Sequence, residues 1–256
     1  MPDQKSEALN PTVQTPAHNT QPLLKIDKIN VAYGDVQVLW DEELEVYEGE
    51  IVALVGSNGA GKSTTLATVS GLLKPRNGAI YFNGQNIAGV PAQAIVKAGI
   101  AHVPEGRRLF GALSVKENLL MGAYLRKDKA EIEADLEKVL GLFPRIKERL
   151  NSLASKLSGG EQQMVAIGRG MMARPKLLMI DELSLGLAPV IVETLIEILE
   201  QVNREGTTIL IVEQDIQTAL EQADRGYVLE TGHVTLSGTA QSLLQDERVK
   251  KAYLGL

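Results

Sequence analysis

The chain has 256 residues, 44% of them hydrophobic and 23% charged, which suits a soluble α/β domain with a substantial core. Its net charge of −6 gives no bulk electrostatic case for binding nucleic acid or an anionic membrane, and no local basic patch offsets it. The absence of cysteine excludes disulfides, cysteine-ligated zinc and thiol catalysis. No stretch approaches the roughly 20 apolar residues that span a bilayer. Residues 1–7 lack the basic region and apolar core of a signal peptide, so the chain is expected in the cytosol, reaching a membrane only through partners.

Residues 1–21 are rich in Pro, Gln, Thr and Asn and are expected to be a disordered extension, with a docking peptide as the alternative. Leu24, Ile26, Ile29 and Val31 then mark a strand that closes at Tyr33-Gly34-Asp35. A second strand pair is predicted over residues 36–39 and 44–46. Glu48-Gly49-Glu50 forms the turn before a short apolar run at residues 51–55. That run leads into Gly56-Ser57-Asn58-Gly59-Ala60-Gly61-Lys62-Ser63-Thr64, which fits the phosphate-binding pattern G-x-x-x-x-G-K-[ST]. Its glycines let successive N–H groups approach phosphate oxygens, and the following helix N-terminus adds partial positive charge. Lys62 is expected to reach the β- and γ-phosphates, and the Ser63 hydroxyl to ligate Mg²⁺.

Residues 74–78 read as a turn, 79–82 as a strand, and Pro91 as the start of a short helix to Ala98. Residues 100–103 form another buried strand, in which His102 reads as a packed side chain because no second ligand lies near it in sequence. From Ser114 the period becomes helical. Ser114 and Glu117 form a capping box, and residues 130–142 place Ile132, Leu136, Val139 and Leu140 on one face. The parallel core resumes at 177–180, which delivers Asp181 and Glu182. A helix runs from Pro189 to about Glu205, a strand at 208–212 ends in Glu213-Gln214, and two strands flank Thr231-Gly232 before a helical end.

The fold class predicted is α/β: a P-loop NTPase core with a mainly parallel sheet, an antiparallel β subdomain and an inserted α-helical subdomain. The expected divisions are a 22–240 ATPase domain, with the helical insertion at about 105–160, and a 241–256 tail. An acid at the end of the 177–180 strand suits Mg²⁺ and its waters, and a second carboxylate beside it suits an attacking water.

A third motif, Leu157-Ser158-Gly159-Gly160-Glu161-Gln162-Gln163, resembles the signature of the ATP-binding cassette (ABC) family. Ser158 caps the helix and Glu161 completes a capping box, leaving the glycine N–H groups free for phosphate. The resemblance runs from about Leu23 to the C-terminus. It is strongest to the second ATPase subunit of high-affinity branched-chain amino-acid importers, the LivF type. The matching residues are Val103-Pro104-Glu105-Gly106-Arg107-Arg108, Ser184-Leu185-Gly186-Leu187-Ala188-Pro189, Ile211-Val212-Glu213-Gln214, residues 223–230 and Ala252-Tyr253-Leu254-Gly255.

The resemblance implies ATP and Mg²⁺ as cofactors, with Ser63, Glu105 and Asp181 at the metal. Tyr33 would stack on adenine, packing being the alternative. Ser158, Gly159 and Gly160 would act on ATP held by a head-to-tail partner cassette, either a paralogue or a second copy. Glu105 stands where most cassettes have a glutamine, and Gln214 where most have a switch histidine. Gln214 donates hydrogen bonds but carries no proton, which leaves Glu182 as the expected general base. Leu183 replaces the family's usual proline and is expected to loosen the backbone after Glu182.

Arg107, Arg108, Leu109 and Phe110 fall where a permease helix docks, a solvated loop being the alternative. The implied activity is ATP hydrolysis driving uptake of amino acids. The implied partners are two membrane permease subunits and, indirectly, an external solute-binding protein, at the cytoplasmic face of the inner membrane. A urea or amide importer and a soluble regulatory cassette are alternatives. About a hundred residues separate the phosphate loop from the signature, too few for the long coiled-coil arm of many soluble cassettes. Glu105 and Gln214 disfavour an exporter for lipid or lipopolysaccharide.

Overall fold

Apolar residues alternate with polar ones along β1 (Leu24–Tyr33), burying one side of the strand. In the computed structural model, which describes residues 21–251, β1 pairs antiparallel with β2 (Val36–Val46) and with β4 (Asn77–Phe82). A short β5 (Gln85–Asn86) completes a sheet of order β2-β1-β4-β5. β2 is continuous, which corrects the two strands predicted at 36–39 and 44–46. The intervening Trp40-Asp41-Glu42-Glu43 looks like a break in sequence. Asp41 at φ 42 and Lys28 at φ 48 absorb a register shift instead, and pairing resumes at Ile29 with Glu42.

The second sheet is built on fully buried strands: β3 (Ile51–Val55), β7 (Leu177–Asp181) and β8 (Thr208–Glu213). Such strands read as unbroken apolar runs because both faces are covered. With β6 (Ile100–Val103), β9 (Arg225–Glu230) and β10 (His233–Thr239), the order is β10-β9-β3-β8-β7-β6. All neighbours are parallel except β9 and β10. Val55 lies opposite Glu213 and Asp181 opposite Val212, so the C-terminal ends of β3, β7 and β8 share one rim. That rim is where parallel sheets hold ligands.

The helices are α1 (Lys62–Val69), α2 (Ala92–Ala98), α3 (Val115–Gly122), α4 (Lys129–Leu142), α5 (Pro144–Lys147), α6 (Gly159–Met171), α7 (Pro189–Arg204), α8 (Ile216–Glu221), α9 (Ala240–Gln245) and α10 (Glu247–Val249). Between β6 and β7 the chain is helical, from α3 to α6. Gly168 of α6 lets Leu119 and Val139 close in, since a Cβ there would lie 2.8 Å from each. One apolar cluster joins the antiparallel sheet to β3, β7 and β8; a second joins the helical segment and α7 to the opposite face.

The peptide of Gly232, in the turn between β9 and β10, links the sheets. It accepts the Trp40 N–H at 2.9 Å and donates to the Ala60 carbonyl at 2.8 Å. No described helix is long and apolar enough to cross a membrane. The expected extension at 1–21 lies, but for Gln21, outside the described residues, as does the 252–255 match.

Candidate nucleotide site

β3 ends at Val55 and is followed by Gly56, whose backbone runs so close to Leu229 that a Cβ would overlap the Leu229 carbonyl. Gly59 and Gly61 take φ of 81 and 115, conformations open to glycine. The loop therefore turns tightly into α1, whose N-cap residue, Gly61, supplies no side-chain cap. Lys62 opens that helix and donates from Nζ to the carbonyls of Gly56 at 2.7 Å and Ser57 at 3.1 Å. Burial pushes its ammonium pKa down, opposed by the carboxylates of Glu182, Asp181, Glu213 and Glu105.

Asp181, the last residue of β7, lies beside Ser63, whose side chain favours its ionised form. Burial raises its pKa, and nearby Glu105 and Glu182 add to the rise. Its Oδ1 is buried without a hydrogen-bond partner, an arrangement that calls for a cation or water. A buried carboxylate oxygen beside a hydroxyl suits Mg²⁺, which takes one or two protein carboxylates and completes its shell from phosphates and water. Glu182 follows at φ 53, with its N–H on the Val212 carbonyl at 2.9 Å.

Lys62, Ser63, Thr64, Glu105 and Glu182 line one cavity of about 490 Å³, together with Asn58, Gly59 and Gly61. Asp181 meets it through Ser63. Tyr33 sits at the edge, half exposed, with its hydroxyl 3.4 Å from the Thr64 hydroxyl. Gln214 is exposed at the end of β8 and does not line the cavity.

Ser158, Gly159 and Gly160 lie apart, at the start of α6. Ser158 forms the expected capping box with Glu161. Gly159 packs under the Arg107 guanidinium and Gly160 against Ile191, each too tightly for a Cβ to fit freely. Arg107 also donates to the Leu185 carbonyl at 3.2 Å, while Arg169 of α6 donates to the Arg107 and Arg108 carbonyls. Phe110 is 49% exposed beneath the Arg169 guanidinium. Arg169 also lines a cavity of about 330 Å³, with Met121, Tyr124 and Leu125.

His102 is packed, with Nδ1 3.1 Å from the Ser70 hydroxyl, and burial lowers its pKa to about 4, keeping it neutral. The backbone after Glu182 is anchored where looseness was expected. Leu183 is buried in the helix-side core, and Ser184 is bonded to Glu213. Sequence reasoning passed over Glu213 as a strand terminus. The available signal is a carboxylate directly after five apolar or β-branched residues, a position that must find donors. It also passed over Glu42, fully buried beneath α1 and bonded to the Thr65 hydroxyl at 2.8 and 2.9 Å.

A family model described as ABC transporter matches residues 39–184. The chain belongs to the ABC transporter family. As a family member it binds ATP, and it is a transport-linked ATPase of the LivF type. It is 49% identical to the high-affinity branched-chain amino acid transport ATP-binding protein BraG of Pseudomonas aeruginosa, over 91% of this chain and 100% of that one. It is 36% identical to the probable branched-chain amino acid transport ATP-binding protein LivF of Archaeoglobus fulgidus, over 91% and 99%. It is also 36% identical to the lipopolysaccharide export system ATP-binding protein LptB of Escherichia coli K12, over 88% and 93%. Among solved structures, a dimeric cassette in a post-hydrolysis state bound to ADP and phosphate superposes with a TM-score of 0.77 at 25% identity, over 85% of this chain and 98% of that one.

Proposed function

We propose that this ABC ATPase powers import of branched-chain or other neutral amino acids at the cytoplasmic face of the inner membrane. It would work there with two permease subunits, a second cassette and, indirectly, an external solute receptor. The observation that carries the hydrolytic part is the meeting of Lys62, Ser63, Glu105 and Glu182 in one cavity, with the unpartnered Asp181 Oδ1 behind Ser63. The 49% identity with BraG supports the choice of solute class.

In this reading the loop from Gly56 to Thr64 cradles the phosphates, Lys62 leaves its loop carbonyls for the β- and γ-phosphates, and Tyr33 stacks on adenine. Ser63, Asp181 and Glu105 hold Mg²⁺, which neutralises charge on the phosphate oxygens when bound. Glu182 accepts the proton of the attacking water, and Gln214 orients the γ-phosphate through its amide.

Ser158, Gly159 and Gly160 stand away from this cavity. They suit ATP held by a second cassette in a head-to-tail dimer. The exposed Phe110 under Arg169 and the cavity that Arg169 also lines suit a permease helix.

The test is purification of the tagged chain with its membrane partners, reconstitution into liposomes, and ATP turnover measured with candidate external receptors. Stimulation by a receptor loaded with leucine, isoleucine or valine is expected. Stimulation only by a urea- or amide-loaded receptor would replace the solute. Recovery with soluble partners alone, or with a lipopolysaccharide-binding assembly, would overturn import.

A further inference from the structure

Glu213 is given no catalytic role in the proposed function, yet its carboxylate is buried and held by three hydrogen bonds. It ends β8 and is only 5% exposed. One oxygen, Oε1, accepts the Ser184 N–H at 2.8 Å. The other, Oε2, accepts the Ser184 hydroxyl at 3.1 Å and the Gln214 N–H at 3.3 Å. A carboxylate removed from water is costly without such donors. All three come from the two segments that border hydrolysis, because Ser184 lies two residues after Glu182 and Gln214 follows Glu213 directly.

The backbone between these anchors is held in a conformation it would not choose. Glu182 stands at φ 53, a left-handed value that a side chain of this kind adopts only when its surroundings over-determine it. The surroundings do so from both sides. The Glu182 N–H bonds to Val212 on β8, Leu183 buries its side chain in the core, and Ser184 is fastened to Glu213. Without the last fastening, the exposed Leu185-Gly186 tip keeps the Arg107 bond to the Leu185 carbonyl and the turn bond from the Leu187 N–H to the Ser184 carbonyl, but Ser184 loses its tie to β8, so Glu182 can relax toward ordinary extended backbone.

We propose that Glu213 is a positioning residue for ATP hydrolysis: its carboxylate ties the segment carrying Glu182 to the segment carrying Gln214 and sets their separation. The residue does not line the cavity; its charge also adds to the field at Lys62, and the Ser184 variants, which keep that charge, separate the tie from the field. The inference rests on the proposed roles of Glu182 and Gln214.

The test uses the complete reconstituted complex. Glu213→Gln keeps the shape but turns an NH₂ group toward N–H and O–H donors, so at least one tie is lost. Turnover is expected to fall on the order of 10- to 100-fold, as for a catalytic group displaced by about 1 Å. ATP affinity of the phosphate loop, read by equilibrium binding, should stay within about threefold.

Ser184→Ala removes a single donor from a half-buried residue and leaves the fold in place. It should cost about threefold in turnover, and Ser184→Thr should restore most of that loss. The double variant should lose less than the product of the single losses, because both remove the same tie.

Unchanged turnover in Glu213→Gln overturns the proposal, as does a loss in ATP affinity equal to the loss in turnover, or strictly multiplicative losses in the double variant. If Glu213→Gln does not fold, the Ser184 pair decides: equal turnover in the Ala and Thr variants overturns it. Glu182→Gln run alongside separates the two levels. If that variant turns over normally, the base assignment fails; if it is inactive while the Glu213 and Ser184 variants are normal, only the tie fails.

Discussion

The phosphate loop and the signature segment at residues 158–160 are both glycine-rich turns that open a helix, but they are held in opposite ways. The loop grows out of a strand buried on both faces, leans on the β9–β10 turn, and opens onto carboxylates from neighbouring strands. The signature segment stands on a local capping box and a surface arginine, Arg107, and no described catalytic carboxylate lines its approach. One half-site is assembled by the sheet within a single chain. The other is a capped helix end that, in the proposed head-to-tail dimer, would serve ATP held by a second chain.

The largest expected effect lies on the sheet-built side. Glu182→Gln should lower turnover of the assembled complex by about 10²- to 10⁴-fold, the usual contribution of a general base, with ATP binding retained. Loss of binding together with turnover would make Glu182 part of the cradle.

Glu42 tests how far beneath the loop the dependence extends. Burial raises its pKa to about 7 from an ordinary 4.5, and the Thr65 hydroxyl only partly opposes this. The folded chain therefore keeps a proton that the unfolded chain releases above about pH 4.5. The contribution is full below that pH and declines as pH rises to 7, by an amount on the order of 3 kcal/mol. Glu213 and Asp181, also raised by burial, act with the same sign. Thermal unfolding should show a lower midpoint at pH 8 than at pH 5, and Glu42→Gln should flatten that slope.

A smaller effect is expected at Lys62, where Ala should weaken ATP binding by roughly 10- to 100-fold, the worth of a charged hydrogen bond to phosphate. Equilibrium binding to the separated chain measures it. Ser158→Ala gives the smallest change and the sharpest contrast. It should cost about 1 kcal/mol of stability through the lost cap. ATP binding by the separated chain should be untouched while turnover in the complex falls. If binding by the separated chain drops as well, the two half-sites are not divided between chains.

Much of the fold was legible because its signals are local: alternation in β1, unbroken apolar runs in β3, β7 and β8, and capping boxes at Ser114 and Ser158. The phosphate loop and the Asp181-Glu182 pair were legible because their chemistry fixes residue type and spacing. What escaped depends on contacts distant in sequence. The polar stretch at residues 40–43 reads as a break because nothing local reveals that Lys28 will match its bulge or that Thr65 will receive Glu42. Leu183 reads as a loosening change because its burial is set by the helical segment and α7. Glu213 lies 29 residues from the serine it holds.

The Gly232 peptide also reaches the protein's single tryptophan. The backbone N–H of Trp40 bonds to the carbonyl of the residue whose own N–H supports Ala60, and the Trp40 ring stacks on His233 at 6.1 Å. At 45% exposure the indole is sensitive to small changes in its surroundings. Two backbone hydrogen bonds therefore lie between the phosphate loop and the residue that carries this ring, and a change in tryptophan emission on titration with ATP is the expected sign that the loop and the turn move together.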